Sequence, residues 1–236
     1  MRLSSSPAAV TDATLLRVIG SGADALELAL DAGQLRRLVD YLRLVEQWNV
    51  TYNLTAIRDV LEMATLHVLD SLAIVPLLAA SIPPNARVLD VGSGAGLPGV
   101  VLAIARPTWR ITCVDSVGKK ASFVTQAAVR LALTNLTSIH ARIESLPSAP
   151  TFDAVISRAY AALPDFVRST QRLRAHDGRW FAMKGKLPDS EIADAAAAGV
   201  RFDLHRLVVP GLDAERCLLI GRPLADGAAD STSSLP

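Results

Sequence analysis

The feature that most constrains this chain is an alternation that begins at residue 86. Short apolar runs, read as ARVLDVG (86–92), WRITCVDS (109–116), LTSIHA (136–141), FDAVISRA (152–159) and GRWFAMKG (178–185), have the length and β-branched content of buried strands. Between them lie segments patterned as helices, over 96–107, 118–133, 164–174 and 188–198. RFDLHRLVVP (201–210) and ERCLLIG (215–221) read as a closing hairpin. Strands that take turns with helices give βαβ units and a mostly parallel sheet, and right-handed crossovers wind it into a doubly wound α/β domain.

The segment before this alternation has a different period. Leu35, Leu38, Val39, Leu42, Val45 and Trp48 follow the spacing of one apolar helix face. A second helix is predicted from Val60 to Leu78, with Leu61, Ala64, Leu66, Val68, Leu69 and Leu72 as its core side. WNVTYNLTAIRD (48–59) reads as a loop between them, and SIPPNA (81–86) as a boundary. The expected organisation is a tail over 1–11, a helical region over 12–82, an α/β domain over 83–222 and a second tail over 223–236.

Composition excludes several classes. With 50% hydrophobic and 20% charged residues among 236, the chain can bury a core and is not a disordered polyelectrolyte. Cys113 and Cys217 are too far apart for a CxxC pair, so no disulfide framework and no metal site are expected. The longest apolar run near a helix, LAIVPLLAA (72–80), is broken by Pro76, so no membrane span and a cytoplasmic location are expected. The net charge of +1 is uninformative. Locally, Arg168, Arg172, Arg174, Arg179, Lys184 and Lys186 face only Asp177 within 168–186, which reads either as a phosphate-binding patch or as a solvated helix face and loop.

DVGSGAGLPG (90–99) is the strongest local signal. Gly92, Gly94 and Gly96 sit where a strand turns into a helix, and glycines there let the backbone approach a ligand closely. Asp115 ends the next strand, where a carboxylate accepts from the hydroxyls of a ribose. Asp90 stands just before the first glycine. It would repel a pyrophosphate and attract a cation such as an α-amino group, which favours S-adenosylmethionine over a dinucleotide. A small-molecule or protein methyltransferase, a non-catalytic RNA-binding factor and, more weakly, an NAD enzyme remain as rivals.

The chemistry narrows by what is missing. There is no GxSxG elbow, no phosphate loop and no Asn-Pro-Pro-aromatic stretch after the fourth strand, where SRAYAAL (157–163) stands instead. Cys113 reads as core. What remains is methylation of an atom that is already nucleophilic, and guanine N7 carries an exposed lone pair. Such a transfer needs alignment, not a general base. Arg158 is the candidate orienting residue, toward a cofactor carboxylate or a guanine edge. Lys119, Lys120 and Lys184 are candidate phosphate contacts, His67, Asp70 and Ser71 share a predicted helix face, and Glu144 follows the third strand where an adenine would sit.

Taken in order, WNVTYNLTAIRD, TLHVLDSL, DVGSGAGLPGVVLAIARP, CVDSVGKKASFV, ARIESLP, FDAVISRA, FAMKGK and VPGLDAER resemble the bacterial glucose-inhibited division protein B family, over about residues 34–222. These are the guanine-N7 methyltransferases of small-subunit ribosomal RNA. The resemblance implies a class I methyltransferase fold, Rossmann-like, with a mostly parallel seven-stranded sheet, an antiparallel last hairpin and an N-terminal helical extension. It implies S-adenosylmethionine as cofactor and 16S rRNA or the small ribosomal subunit as partner; nothing in the sequence suggests an obligate dimer, so a monomer is expected. It places cofactor contacts at Gly92, Leu97, Ile143, Glu144 and Arg158, beside Asp115. It places Asn53, His67, Asp70, Ser71 and Lys184 on the RNA side. Loss of the modification in bacteria carrying the family is associated with modest streptomycin resistance.

Overall fold

The computed structural model describes residues 10–158, 160–185, 189–197 and 199–224. Its centre is a seven-stranded sheet in the order β3-β2-β1-β4-β5-β7-β6. The strands are β1 (Arg87–Val91), β2 (Arg110–Asp115), β3 (Leu136–His140), β4 (Phe152–Arg158), β5 (Arg174–Lys184), β6 (Val200–Leu207) and β7 (Arg216–Pro223). The first five pair in parallel, while β7 runs antiparallel to both β5 and β6. Strand order reverses between β1 and β4, so the crevice beyond their carboxyl ends is where such a sheet takes a ligand. The alternation read from the sequence is present in full.

The helices are α1 (Asp12–Ala25), α2 (Ala32–Tyr52), α3 (Val60–Met63), α4 (Asp70–Leu72), α5 (Val75–Ala79), α6 (Gly99–Ala105), α7 (Gly118–Arg130), α8 (Leu163–Thr170) and α9 (Asp189–Ala197). A capping box starts α2, in which Asp31 accepts from the Gln34 N–H and the Gln34 side chain accepts from the Asp31 N–H. Asn53 ends it in the left-handed conformation. The helix therefore runs through the Trp48–Tyr52 stretch expected to be loop. The reason is tertiary: Trp48 packs on Phe123, and buried Asn49 ties down the turn that follows.

From Val60 to Ala79 the chain is one helical run interrupted by a π-helical turn, Ala64–Leu69. The wider turn shifts the helix phase, so Leu61 is exposed and Leu66 half-buried, against the expectation that both are core. This run is long and apolar enough to cross a membrane, which the sequence reading did not expect; 67% of its most apolar window is buried inside the protein. One continuous core joins it to the sheet, because Leu42, Val68 and Leu72 belong to the same cluster as Val88 and Ile111. Gln34 adds a polar tie, donating at 2.8 Å to the Ile104 carbonyl at the end of α6. The helical region and the α/β region thus share one interior. Residues 1–9 and 225–236, most of the two expected tails, lie outside the described residues.

β5 starts four residues before its predicted beginning. The register against β4 jumps from Phe152↔Arg174 to Ala154↔Arg179, so the intervening residues form a bulged excursion. Arg174 holds it together by donating to the carbonyls of Ala175, His176 and Gly178 while its guanidinium lies 4.7 Å from the centre of the Trp180 ring.

Candidate active site

Two cavities open near the carboxyl ends of β1 and β4. The first, of about 400 Å³, is in the range of small-molecule sites and lies between Val91 and Gly92, Asp115 with the start of α7, and the turn Arg142–Glu144. Its floor is made by backbone. The N–H groups of Gly92 and Ser93 donate to the Val114 carbonyl at 2.8 and 3.2 Å, which draws the glycine loop against the end of β2. Asp115 accepts from Gly94 N–H at 2.9 Å through Oδ2 and from Val117 N–H at 2.8 Å through Oδ1. Each oxygen keeps a lone pair for a ligand hydroxyl.

Gly92, Gly94 and Gly96 all have positive φ, but for different reasons. A Cβ on Gly92 would come within 3.0 Å of the Tyr160 ring, which also lines the crevice. A Cβ on Gly94 would meet nothing within 4 Å, so its glycine serves the turn. A Cβ on Gly96 would press into Val100 at 2.4 Å, so its glycine serves the packing of the loop on α6. Behind the loop, Tyr41 of α2 is fully buried and its hydroxyl donates at 2.7 Å to the Ala95 carbonyl. Helix periodicity puts Tyr41 in the buried stripe, three residues after Leu38 and four before Val45, but gives no hint of the loop carbonyl its hydroxyl meets.

The second cavity, of about 480 Å³, is lined by residues far apart in the chain, among them Thr55, His67, Asp70, Arg158, Lys184 and Arg216. Asp70 is its centre. One oxygen accepts from Arg216 Nε at 3.1 Å, and the other pairs with Arg158 Nη1 at 3.4 Å. Arg158 also donates at 3.1 Å to the Leu66 carbonyl inside the π-helical turn, where the helix ladder is loosened. Lys184 at the end of β5 is held by Glu191 at 2.9 Å and by the Ala161 carbonyl. His67 shares a hydrogen bond with Thr55 Oγ1 at 3.0 Å. Burial, with the positive charge of Arg158 second, lowers its pKa to about 4, so the imidazole is neutral at neutral pH.

Residues 34–219 match the family model described as rRNA small subunit methyltransferase G. Proteins named ribosomal RNA small subunit methyltransferase G are 49% identical in Acidovorax sp. (strain JS42), over 92% of this chain and 99% of that one, and 50% identical in Verminephrobacter eiseniae (strain EF01-2), over 87% and 93%. The chain belongs to the small-subunit rRNA methyltransferase G family. Among solved structures, the DhpI–SAH complex aligns with a TM-score of 0.53 at 17% identity, over 80% of this chain and 96% of that one. A SAM-dependent methyltransferase from Aquifex aeolicus aligns at 0.52 and 15%, over 68% and 92%. These two show the class I methyltransferase fold. This family member is a methyltransferase that uses S-adenosylmethionine, and the NAD reading falls. The first cavity fits that cofactor: a carboxylate with free lone pairs ends β2, and Gly92 leaves open a strip of backbone that a side chain would fill.

Several expected site residues stand elsewhere than the sequence placed them. Gly92, Asp115, Ile143 and Glu144 line the first cavity together, while Leu97 is buried in the hydrophobic core. Lys120 lines the first cavity, and Lys119 beside it is exposed. Arg158 lines the second cavity, not the first, because Asp70 and Leu66 pull it toward the helical region. Ser71 is fully buried and donates to the His67 carbonyl one turn back, so it is a structural residue of the helix. Asn53 caps α2 and accepts from Arg58, outside both cavities. Asp90 does not face an amino group. It is wholly buried, accepts from the Gly99 N–H at 2.9 Å, and burial raises its pKa to about 7.

The basic stretch 168–186 does not form one patch. Arg168 pairs with Asp165, Arg172 and Arg174 donate to backbone carbonyls, and Lys184 sits at the opposite end of β5 from Arg174. Lys186 lies outside the described residues. Arg216 and Thr55 are the cavity residues that sequence reasoning missed. Both fall inside motifs matched to the family, but no spacing rule links positions so distant to His67.

Proposed function

We propose that this chain transfers the methyl group of S-adenosylmethionine to N7 of one guanine in a hairpin near the decoding site of 16S rRNA, as free rRNA or within the small subunit. The observation that carries the reading is the second cavity. It presents guanidinium and ammonium donors held in place by carboxylates, beside an imidazole that is neutral and therefore not a charged acid. Donors in fixed positions suit the O6 edge of guanine and flanking phosphates. When bound, the cofactor supplies an electrophilic methyl carbon, and N7 accepts it with its own lone pair, so no proton has to leave.

The protein's work is then alignment. Asp115 and the Gly92 backbone hold the nucleoside, while Asp70 sets the direction of Arg158 and Arg216. Arg158 lines one cavity and Tyr160, two residues on, lines the other, so the end of β4 forms the wall between the two ligands. An rRNA substrate supports a cytoplasmic location.

Incubation with methyl-labelled S-adenosylmethionine and small subunits lacking the modification, followed by chain cleavage at 7-methylguanine, tests the reading. One cleavage site in the decoding-region hairpin is expected. Labelled rRNA that resists this cleavage would move the methyl to another atom, and label only in protein or small molecules would favour the rival methyltransferase.

A further inference from the structure

We propose that Arg172 is a positioning residue for the cofactor, acting through the wall of the crevice from outside it. The inference rests on the assignment of the first cavity to S-adenosylmethionine. The turn that carries Ile143 and Glu144 into that cavity is a single 3₁₀ turn, Ile143–Ser145. Its internal bonds are few: Ser145 N–H and Oγ reach the Arg142 carbonyl, and Leu146 N–H reaches the Ile143 carbonyl at 3.3 Å. A turn this short does not hold its own geometry in water, because the few bonds it makes do not offset the loss of backbone freedom.

What fixes it comes from the end of α8. Arg172 donates through Nη2 to the Ile143 carbonyl at 2.8 Å and through Nη1 to the Leu146 carbonyl at 2.5 Å. The planar fork thus bridges both ends of the turn, and charge-assisted bonds of this kind are about twice as strong as neutral ones. Arg172 itself does not line the cavity, so its effect reaches the cofactor only through the residues it holds.

Arg174, two residues along, provides the internal control. It too donates to backbone carbonyls, but those of its own excursion in β5, away from the crevice. A purely structural guanidinium clamp is expected to behave like Arg174.

The test is titration of S-adenosylhomocysteine into the full chain and into Arg172→Met, Arg172→Lys and Arg174→Met, with melting temperatures measured alongside, and kcat and KM for S-adenosylmethionine on rRNA. Arg172→Met is expected to raise the Kd for S-adenosylhomocysteine about tenfold, the scale of one lost charge-assisted hydrogen bond. KM should rise with it and kcat at saturating cofactor should stay put. Arg172→Lys, with one donor group in place of a fork, should recover part of the loss. Arg174→Met should lower the melting temperature with Kd unchanged. Wild-type Kd in Arg172→Met would overturn the proposal, as would a Kd shift that merely follows melting temperature across both sites. Wild-type chain that binds no S-adenosylhomocysteine would instead overturn the cofactor assignment of the crevice.

Discussion

In the first cavity the donors are mostly backbone N–H groups, of Gly92 and Ser93 on the Val114 carbonyl and of Gly94 and Val117 on the Asp115 carboxylate, with Arg172 bracing the turn beyond. In the second cavity the contacts are made by side chains brought from six places, with Asp70 taking Arg158 and Arg216, Lys184 on Glu191, and His67 on Thr55. The difference matches the ligands. A nucleoside cofactor presents the same face each time and suits a rigid cradle of N–H groups. An RNA base with its flanking phosphates calls for long cationic side chains whose direction can be set by counter-charges. The two sites should therefore fail separately.

The largest effect should come from Gly92→Val. The position has φ of 66° and a Cβ would press on Tyr160, so both strain and lost space act on the crevice. Affinity for S-adenosylhomocysteine should fall at least about a hundredfold, while binding of rRNA measured without cofactor stays within a factor of about two. Loss of both together would mean that the cavities are not independent.

Asp70→Asn is the counterpart. It leaves the guanidinium groups of Arg158 and Arg216 without their shared counter-charge at a carboxylate only 5% exposed. Without it the two guanidinium groups lose their fixed direction, and misplacement of this kind should lower methyl transfer about a hundredfold with cofactor Kd unchanged. A weakened cofactor Kd in this variant would place Arg158 back in the crevice.

A third effect separates the two regions by pH. His67 has a folded pKa of about 4 against 6.5 when unfolded, so the unfolded chain binds the extra proton and His67 makes stability rise with pH between those values. Asp90 has a folded pKa of about 7 against 3.8, so the folded chain holds the extra proton and Asp90 makes stability fall as pH climbs through the same window. In the whole protein the two slopes oppose each other. Asp90→Asn should therefore gain stability from pH 4 to 6.5, and His67→Gln should lose it from pH 4 to 7, by about 2–3 kcal/mol each. Denaturant midpoints across that range decide it, and slopes of the same sign in both variants would contradict the burial of one group.

The smallest effect belongs to Lys119. It is exposed, and a phosphate contact there would be one among several. Lys119→Ala should reduce the log–log salt slope of rRNA binding by about 0.7–0.9 and leave the choice of guanine unchanged. An unchanged slope would remove it from the RNA face.

The same contrast explains what could be read from the sequence. The parallel sheet, its order of elements and the crevice residues Gly92, Asp115 and Glu144 follow from local patterns, because strand, turn and carboxylate lie within a short stretch of chain. The second cavity joins positions 55, 67, 70, 158, 184 and 216, and apart from the helical spacing of His67 and Asp70 no periodicity relates them. His67 and Asp70 are legible as one helix face and Lys184 as a cation at a strand end, but only the matched motifs point to them together. Misplacements had specific causes. Leu61 and Leu66 came out wrong because a π-helical turn shifts the phase, and Asp90 because its carboxylate satisfies the start of α6 instead of facing a ligand. The run 168–186 misled because charge counts ignore which cations are already bound to carbonyls and carboxylates.

The central claim is that transfer is driven by alignment between two separately built sites, with no group acting as a base. The pH dependence of single-turnover methyl transfer, measured from pH 6 to 9 at saturating S-adenosylmethionine and rRNA, tests it most directly. His67 is neutral throughout this range, guanine N7 has no proton to lose, and Asp90, which titrates near 7, is wholly buried and lines neither cavity, so a flat profile is predicted. A rate that climbs tenfold per pH unit below a single pKa would contradict the account, by showing that a titrating group removes a proton in the step that limits transfer.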